Sequence, residues 1–278
     1  MKKTKFSRSF TGMHFERGFI TSLFFAFLLF FVSCGSNEGQ TIYDKGEKLK
    51  KEGRYEEAIT KYRYVVLHYQ KAKIAPEALF RIGEVSYIYL KDFNAAARAF
   101  RDLLNNYSWS ARCKQAQLHL ADIEMYGVQD FKQAIAEYQK AISYYGADKE
   151  SERFQHEIAK AYFNLENFEQ QRVELTLLLS KFPDSELAQS VYYEIANSYY
   201  IEGRPDEAIE AYKKVIEKYP NTSTSLESKF QTASCLEEKE DLKGAIEILK
   251  EIEGVYPNYK IVKMRIERIK KRLKSRRR

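Results

Sequence analysis

The chain has 278 residues, of which 44% are hydrophobic and 31% charged, with only 12 glycines and 5 prolines. So few helix breakers beside so much Ala, Glu, Lys and Tyr exclude a turn-rich all-β fold and point to a helical body. The formal charge of +7 hides unlike parts: residues 1–33 carry five Lys/Arg against one acid, residues 260–278 carry eleven against one, and residues 34–259 carry 30 basic and 37 acidic side chains. The body is therefore acidic, which excludes a basic nucleic-acid-binding face running through it.

At the N-terminus Lys2, Lys3, Lys5, Arg8 and Arg17 precede an apolar run from Gly18 to Val32. Those 15 residues fall short of the roughly 20 that span a bilayer as a helix, so the run reads as an export signal. A second methionine, Met13, offers a start that would shorten the leader. The run stops at Phe31-Val32-Ser33-Cys34 and gives way to Gly-Ser-Asn-Glu-Gly-Gln. This junction resembles a bacterial lipobox, with a small residue before the cysteine, although Phe31 stands where Leu is usual. The resemblance implies a signal peptide over 1–33, lipidation of Cys34 and a tether over 34–40. Gly35 after the cysteine resembles an outer-membrane address in enteric-type sorting. A short membrane anchor with an incidental cysteine is the competing reading.

The body is periodic. Tyr55, Phe93, Phe131, Phe168, Pro205 and Leu242 occupy matching places in six segments, at spacings of 38, 38, 37, 37 and 37 residues. A fixed period of this size signals an array of supersecondary units. Each unit reads as two helices. The first carries a small residue in its middle (Gly46, Gly83, Ala121, Ala159, Ala196, Ala233). The second starts at the anchor and has Ala three residues on, except in the fourth unit, where Gln171 stands. Small residues allow close helix approach, and the apolar positions recur at helical spacing. Pro, Asp, Asn and Ser between units supply stops and caps.

This pattern resembles the tetratricopeptide repeat (TPR), whose usual length is 34 residues. The longer period, the Tyr-Pro between units and the lipobox-like junction look like a bacterial envelope subfamily. That subfamily includes the TPR lipoprotein of the outer-membrane β-barrel assembly machinery (the Bam complex) and the coordinator of the Tol–Pal system. The resemblance implies an all-α, right-handed superhelix of six repeats over residues 41–259, closed by a basic helix and tail over 260–278. First helices would line the concave side. It also implies a non-catalytic scaffold for envelope proteins at the periplasmic face of the outer membrane. A cell-wall coordinator, or an accessory lipoprotein of a secretion or motility system, is the alternative.

With the repeat frame fixed, two sets of positions fall on one face of each first helix. Three residues before the small residue stand Tyr43, Phe80, Leu118, His156, Tyr193 and Phe230; four after it stand Lys50, Tyr87, Met125, Phe163, Tyr200 and Glu237. We take Tyr43, Phe80, Tyr87, Met125, His156, Phe163, Tyr193, Tyr200 and Phe230 as the candidate partner-binding groove, since aromatic rings suit interfaces. Packing between repeats is the other use of such rings in a chain with 21 tyrosines and 18 phenylalanines. Lys160 and Asn197 alone would suit a carboxylate clamp. No Gly-rich phosphate loop occurs. His68, His119 and His156 lie in separate repeats without ligand spacing, so no metal, cofactor or catalytic residue is expected. Cys113 and Cys235 read as small core residues. In the last segment Val262, Ile266, Ile269 and Leu273 form an apolar stripe ringed by Lys and Arg. It is expected to cap the sixth repeat, with anionic lipid as a second role for the charge.

Overall fold

The computed structural model describes residues 38–146 and 149–276. The leader and Cys34 lie outside the described residues. Helices follow one another as pairs: α1 (38–51) with α2 (Tyr55–His68), α3 (Ala75–Val85) with α4 (Phe93–Asn106), α5 (Cys113–Asp122) with α6 (Phe131–Tyr145), α7 (Lys149–Asn164) with α8 (Phe168–Lys181), α9 (Ala188–Ile201) with α10 (Pro205–Lys218), and α11 (Ser223–Glu238) with α12 (Leu242–Ile252). A last helix, α13, spans Tyr259–Ser275. No strand occurs among the described residues, so the fold is all-α, of the TPR type. The six anchors read from the sequence are the first residues of α2, α4, α6, α8, α10 and α12. The helix α1 reaches back to residue 38, so residues 38–40, assigned to the tether, are helical. A Cβ on Gly39 would lie 3.1 Å from the Tyr69 ring, which shows how closely that end of α1 approaches the end of α2.

Contacts divide the chain within α5 into two compact units, one ending at Ala116 and one beginning at Gln117. The same joint builds the hairpins of each. Seven residues after each anchor stands a fully buried side chain: Tyr62 and Phe100 in the first unit, Tyr138, Leu175, Tyr212 and Leu249 in the second. In the first unit it is seated on the glycine of the partner helix. A Cβ at Gly46 would lie 2.6 Å from the Tyr62 ring, and one at Gly83 would lie 2.6 Å from the Phe100 ring. In the second unit the alanines Ala121, Ala159, Ala196 and Ala233 are fully buried. Where the inserted side chain is tyrosine, its hydroxyl donates to the residue after the small one: Tyr62 to Glu47 (2.6 Å), Tyr138 to Asp122 (2.8 Å), Tyr212 to Asn197 (3.3 Å). A buried hydroxyl needs such a partner. Phe100, Leu175 and Leu249 need none, so tyrosine and a purely apolar side chain alternate from repeat to repeat along the sequence.

Every turn between paired helices passes through one left-handed residue, two before the anchor: Gly53, Lys91, Gln129, Glu166, Gly203 and Glu240, with φ between 55° and 76°. Where the next residue is Asp or Asn it caps the second helix, as Asp92 does for Ala95 (2.9 Å) and Asn167 for Gln170 (3.1 Å). After the two glycines the next residue is Arg, which instead grips a carboxylate in the first turn: Arg54 on Glu57 and Arg204 on Glu207, each at 2.6 Å.

The two 38-residue spacings have a local cause. Between small residue and anchor lies one more residue in the second and third repeats than in the other four. The surplus is absorbed as a π-helical turn at Ser86–Leu90 after α3 and at Ile123–Val128 after α5. A single extra residue in an α-helix is accommodated in just this way. The fourth repeat departs differently. Gln171 and Arg172 replace the Ala-aliphatic pair and are buried, and the Gln171 Oε1 is the one buried side-chain polar atom without a hydrogen-bond partner among the described residues. Arg172 pairs with Glu202 at 2.9 Å and lies 4.1 Å over the Tyr199 ring.

The apolar stripe of α13 closes the second unit. Val262, Ile266 and Ile269 are buried against Leu242, Leu249 and Ile252, with Leu273 packed alongside. This helix covers apolar surface that the sixth hairpin would otherwise expose. Both described cysteines are buried free thiols, and burial pushes Cys235 up to about 11.

Candidate functional site: the face of the first helices

In the first unit, α1, α3 and the start of α5 present a linked set of charges and rings. Arg81 sits at the centre: it lies 3.3 Å from both Glu47 and Glu77, pairs with Glu84 at 2.6 Å, and donates to the Tyr43 hydroxyl at 3.2 Å. Arg112 pairs with Glu77 at 2.6 Å and places its guanidinium 4.7 Å over the Phe80 ring. Tyr43 and Phe80 are both buried, each also packed on the inserted ring of its own hairpin, Tyr62 at 5.5 Å and Phe100 at 5.6 Å. Burial pushes the Tyr43 hydroxyl up to about 12 against the opposing pull of Arg81. It therefore stays protonated at any physiological pH. Tyr87 is half-buried, its ring 6.1 Å from Phe93 at the start of α4.

In the second unit the corresponding face runs over α7, α9 and α11. His156 is buried and meets the Glu194 carboxylate at 2.9 and 3.0 Å, joining α7 to α9. Gln189 donates to Thr224 at 2.7 Å, joining α9 to α11. Met125 is buried in the core with Tyr138 and Phe154. Tyr193 is half-buried beside Tyr212 (5.7 Å), and burial pushes its hydroxyl up to about 12. Phe230 is half-buried between the Arg265 guanidinium, 4.6 Å over its ring, and a stacked Tyr256 at 5.0 Å. Phe163 is the most open of the nine groove residues, at 38% exposure, with its edge against Phe168 (5.8 Å). Tyr200 is half-buried. Lys160 pairs with Glu157 and Asn197 accepts from Tyr212, so both groups suited to a carboxylate clamp have partners within the protein.

The nine positions thus divide by register. Of those before the small residue, Tyr43, Phe80 and His156 are buried, while Tyr193 and Phe230 stay half-buried. Those after it lie where the chain is turning, so Tyr87, Phe163 and Tyr200 keep part of their rings in water; Met125, in the π-helical turn, does not. Sequence reasoning missed further apolar side chains at that turning edge: Ile88 and Tyr89 in the first unit, and Tyr126, Val128 and Ile201 in the second, all exposed. The extra residue before the second and third anchors was the signal that marked the π-helical ones. Also missed was a concavity of about 410 Å³ bordered by Tyr193, Thr224, Glu227, Tyr256 and Asn258, in which Tyr256 donates to Glu227 at 2.6 Å.

Among the described residues, no three His, Cys, Asp or Glu side chains are grouped as metal ligands would be, and no helix is long and apolar enough to cross a membrane. Asp122 is pushed up by burial, offset by the Tyr138 hydroxyl and Arg153. It serves as the acceptor of a structural hydrogen bond.

Two stretches match tetratricopeptide repeat models: residues 77–108, the α3–α4 hairpin of the first unit, and residues 190–222, the α9–α10 hairpin of the second. No curated protein sequence matches the chain. Among solved structures, a Naa15/Naa10 complex bound to HypK-THB superposes with a TM-score of 0.66 at 16% identity, over 83% of this chain and 33% of that one. PilW, described as a widely conserved type IV pilus biogenesis factor, gives 0.47 at 14% identity over 81% of this chain and 97% of its own. MamA from Desulfovibrio magneticus RS-1 gives 0.46 at 17% over 66% and 97%. At 16% identity the first of these is a likeness of fold alone. The chain carries tetratricopeptide repeats, built as paired helices on an all-α plan, and repeats of this kind serve as scaffolds that bind other proteins.

Proposed function

We propose that this protein is a non-catalytic, lipid-anchored TPR scaffold. It would hold partner proteins at the periplasmic face of the outer membrane, in the assembly of outer-membrane proteins. The observation that carries the reading is the junction Phe31-Val32-Ser33-Cys34 placed directly before a repeat array whose turning edge keeps aromatic rings in water. A lipid on Cys34 fixes one end at a bilayer, and the repeats offer a protein-binding face. Tyr87 in the first unit and, separately, Phe163 and Tyr200 in the second would contact partner segments, since aromatic side chains are enriched among the residues that carry binding energy. The second reading, a coordinator of wall synthesis, is favoured by the concavity at Tyr193, Tyr256 and Glu227, because aromatic faces beside a carboxylate suit a sugar as well as a peptide.

The test is made in cells. The wild type should incorporate a clickable fatty acid, and Cys34→Ala should not and should accumulate as precursor. Purification of the wild type after mild cross-linking should co-elute barrel-assembly proteins. Equal labelling of the two proteins would remove the lipid anchor, and wall synthases among the co-eluting proteins in place of barrel-assembly proteins would transfer the scaffold to the second reading.

A further inference from the structure

The helix α13 sorts its charged residues by type. With 100° of turn per residue, the buried stripe of Val262, Ile266, Ile269 and Leu273 defines one side. On the flank beside it lie the arginines, directed at the acidic end of α11. Arg265 reaches Glu237 at 2.5 Å, Arg272 reaches Glu237 at 3.2 Å and Glu240 at 3.3 Å, and Arg276 reaches Glu240 at 2.8 Å. Arg268 meets Glu237 at 3.5 Å. The planar fork of arginine suits such shared carboxylates. The lysines fall elsewhere. Lys260, Lys263, Lys270, Lys271 and Lys274 occupy about 100° of arc on the side away from the stripe. All five are exposed, and only Lys270 has a described carboxylate in ion-pair reach, Glu267 at 2.7 Å. That carboxyl is held below its usual range first by Lys270 and further by Lys263 and Lys271, as expected where several lysines converge on one acid. Met264, at 71% exposure, borders the lysines, whereas Ile261, at 47%, lies on the arginine flank between Arg268 and Arg272.

The cap accounts for the stripe and the acidic end of α11 accounts for the arginines; neither accounts for the lysine face. We propose that the lysine face of α13 is a second membrane contact, docking on anionic lipid headgroups with Met264 entering the interface. Charge complementarity names the occupant. Each cation near an anionic bilayer adds to binding independently, without the fixed geometry a single acidic side chain would need. Lysine on a helix with apolar neighbours is the composition of an interfacial helix. An acidic protein groove would be better matched by the arginines, which are already engaged. The inference rests on no feature of the leader and stands apart from lipidation of Cys34.

The test uses the full chain with Cys34→Ala throughout, so any leader contribution is common to every sample. Sedimentation is measured with phosphatidylcholine vesicles with and without phosphatidylglycerol, at low and high salt. The parent should favour anionic vesicles at least tenfold at low salt and lose most of that preference at high salt. Combined Lys260→Gln, Lys263→Gln, Lys271→Gln and Lys274→Gln should lower the preference at least fivefold without changing the melting temperature. An equal change of charge on the body, Lys132→Gln, Lys213→Gln, Lys243→Gln and Lys250→Gln, should leave most of it. Equal binding of the parent to both vesicle types would overturn the proposal, as would an equal loss from the two quadruple variants. Retention of the parent on immobilised polyglutamate or nucleic acid without any vesicle preference would overturn it too, and would reassign the face to an acidic macromolecule.

Discussion

The hairpins α3–α4 and α9–α10 have the same plan and differ by one residue. In α3–α4 ten positions separate Gly83 from Phe93; in α9–α10 nine separate Ala196 from Pro205. The surplus residue leaves the joint untouched: Phe100 is seated on Gly83 and Tyr212 is fully buried in the α9–α10 core, each seven residues into its helix. It is taken up by the π-helical turn at Ser86–Leu90, after which the left-handed residue follows as before, with Asp92 capping α4 where Arg204 instead grips Glu207 at the start of α10. The joint is a close-packed contact that tolerates no change of register. The edge is solvated, and can bulge at little cost. The one-residue difference between these two hairpins therefore falls at the solvated edge.

That contrast can be broken most forcefully by removing a residue where there is none to spare. Deleting Ile201 shortens nine to eight and should pull Tyr212 out of register. The expected cost is ~3–5 kcal/mol, comparable to emptying a core position, seen as loss of the cooperative urea transition of the second unit. Overfilling the joint comes next. Gly83→Val adds a Cβ only 2.6 Å from Phe100 and should destabilise by about 1–3 kcal/mol, read as a lower urea midpoint at unchanged slope. Deleting Ile88 should have the smallest effect, within about 1 kcal/mol, because it restores the nine-residue spacing and converts the π-helical turn to an α-helical one. A loss comparable to that of the Ile201 deletion would mean that the bulge itself is structural.

Much of this plan is legible in the residues. The anchors can be found because Tyr55, Phe93, Phe131, Phe168, Pro205 and Leu242 mark a change of helix, and such changes carry turn chemistry. The small residues stand out because nothing larger fits beneath an inserted ring, and the cap because its stripe keeps a strict four-three-four spacing. The π-helical turns do not stand out. A one-residue surplus reads as drift in the period until the backbone shows where it is absorbed. The groove is legible only in part, because helical periodicity fixes a face to within a few tens of degrees. It does not say where along the axis the partner helix ends, and that is what separates buried Tyr43 and Phe80 from half-open Tyr87 and Phe163. The division of Arg from Lys on α13 is written in the sequence, but the carboxylates that claim the arginines, Glu237 and Glu240, lie about thirty residues away.

Whether the turning edge is where partners bind can be measured by photo-crosslinking in cells. A benzophenone amino acid is placed at Phe163 or Tyr200 on that edge, or at Lys213 on the exposed side of α10. Discrete adducts with other proteins are expected from Phe163 and Tyr200, and none from Lys213. Adducts from Lys213 alone, or none from either aromatic position while the protein remains folded, would contradict partner binding at the turning edge.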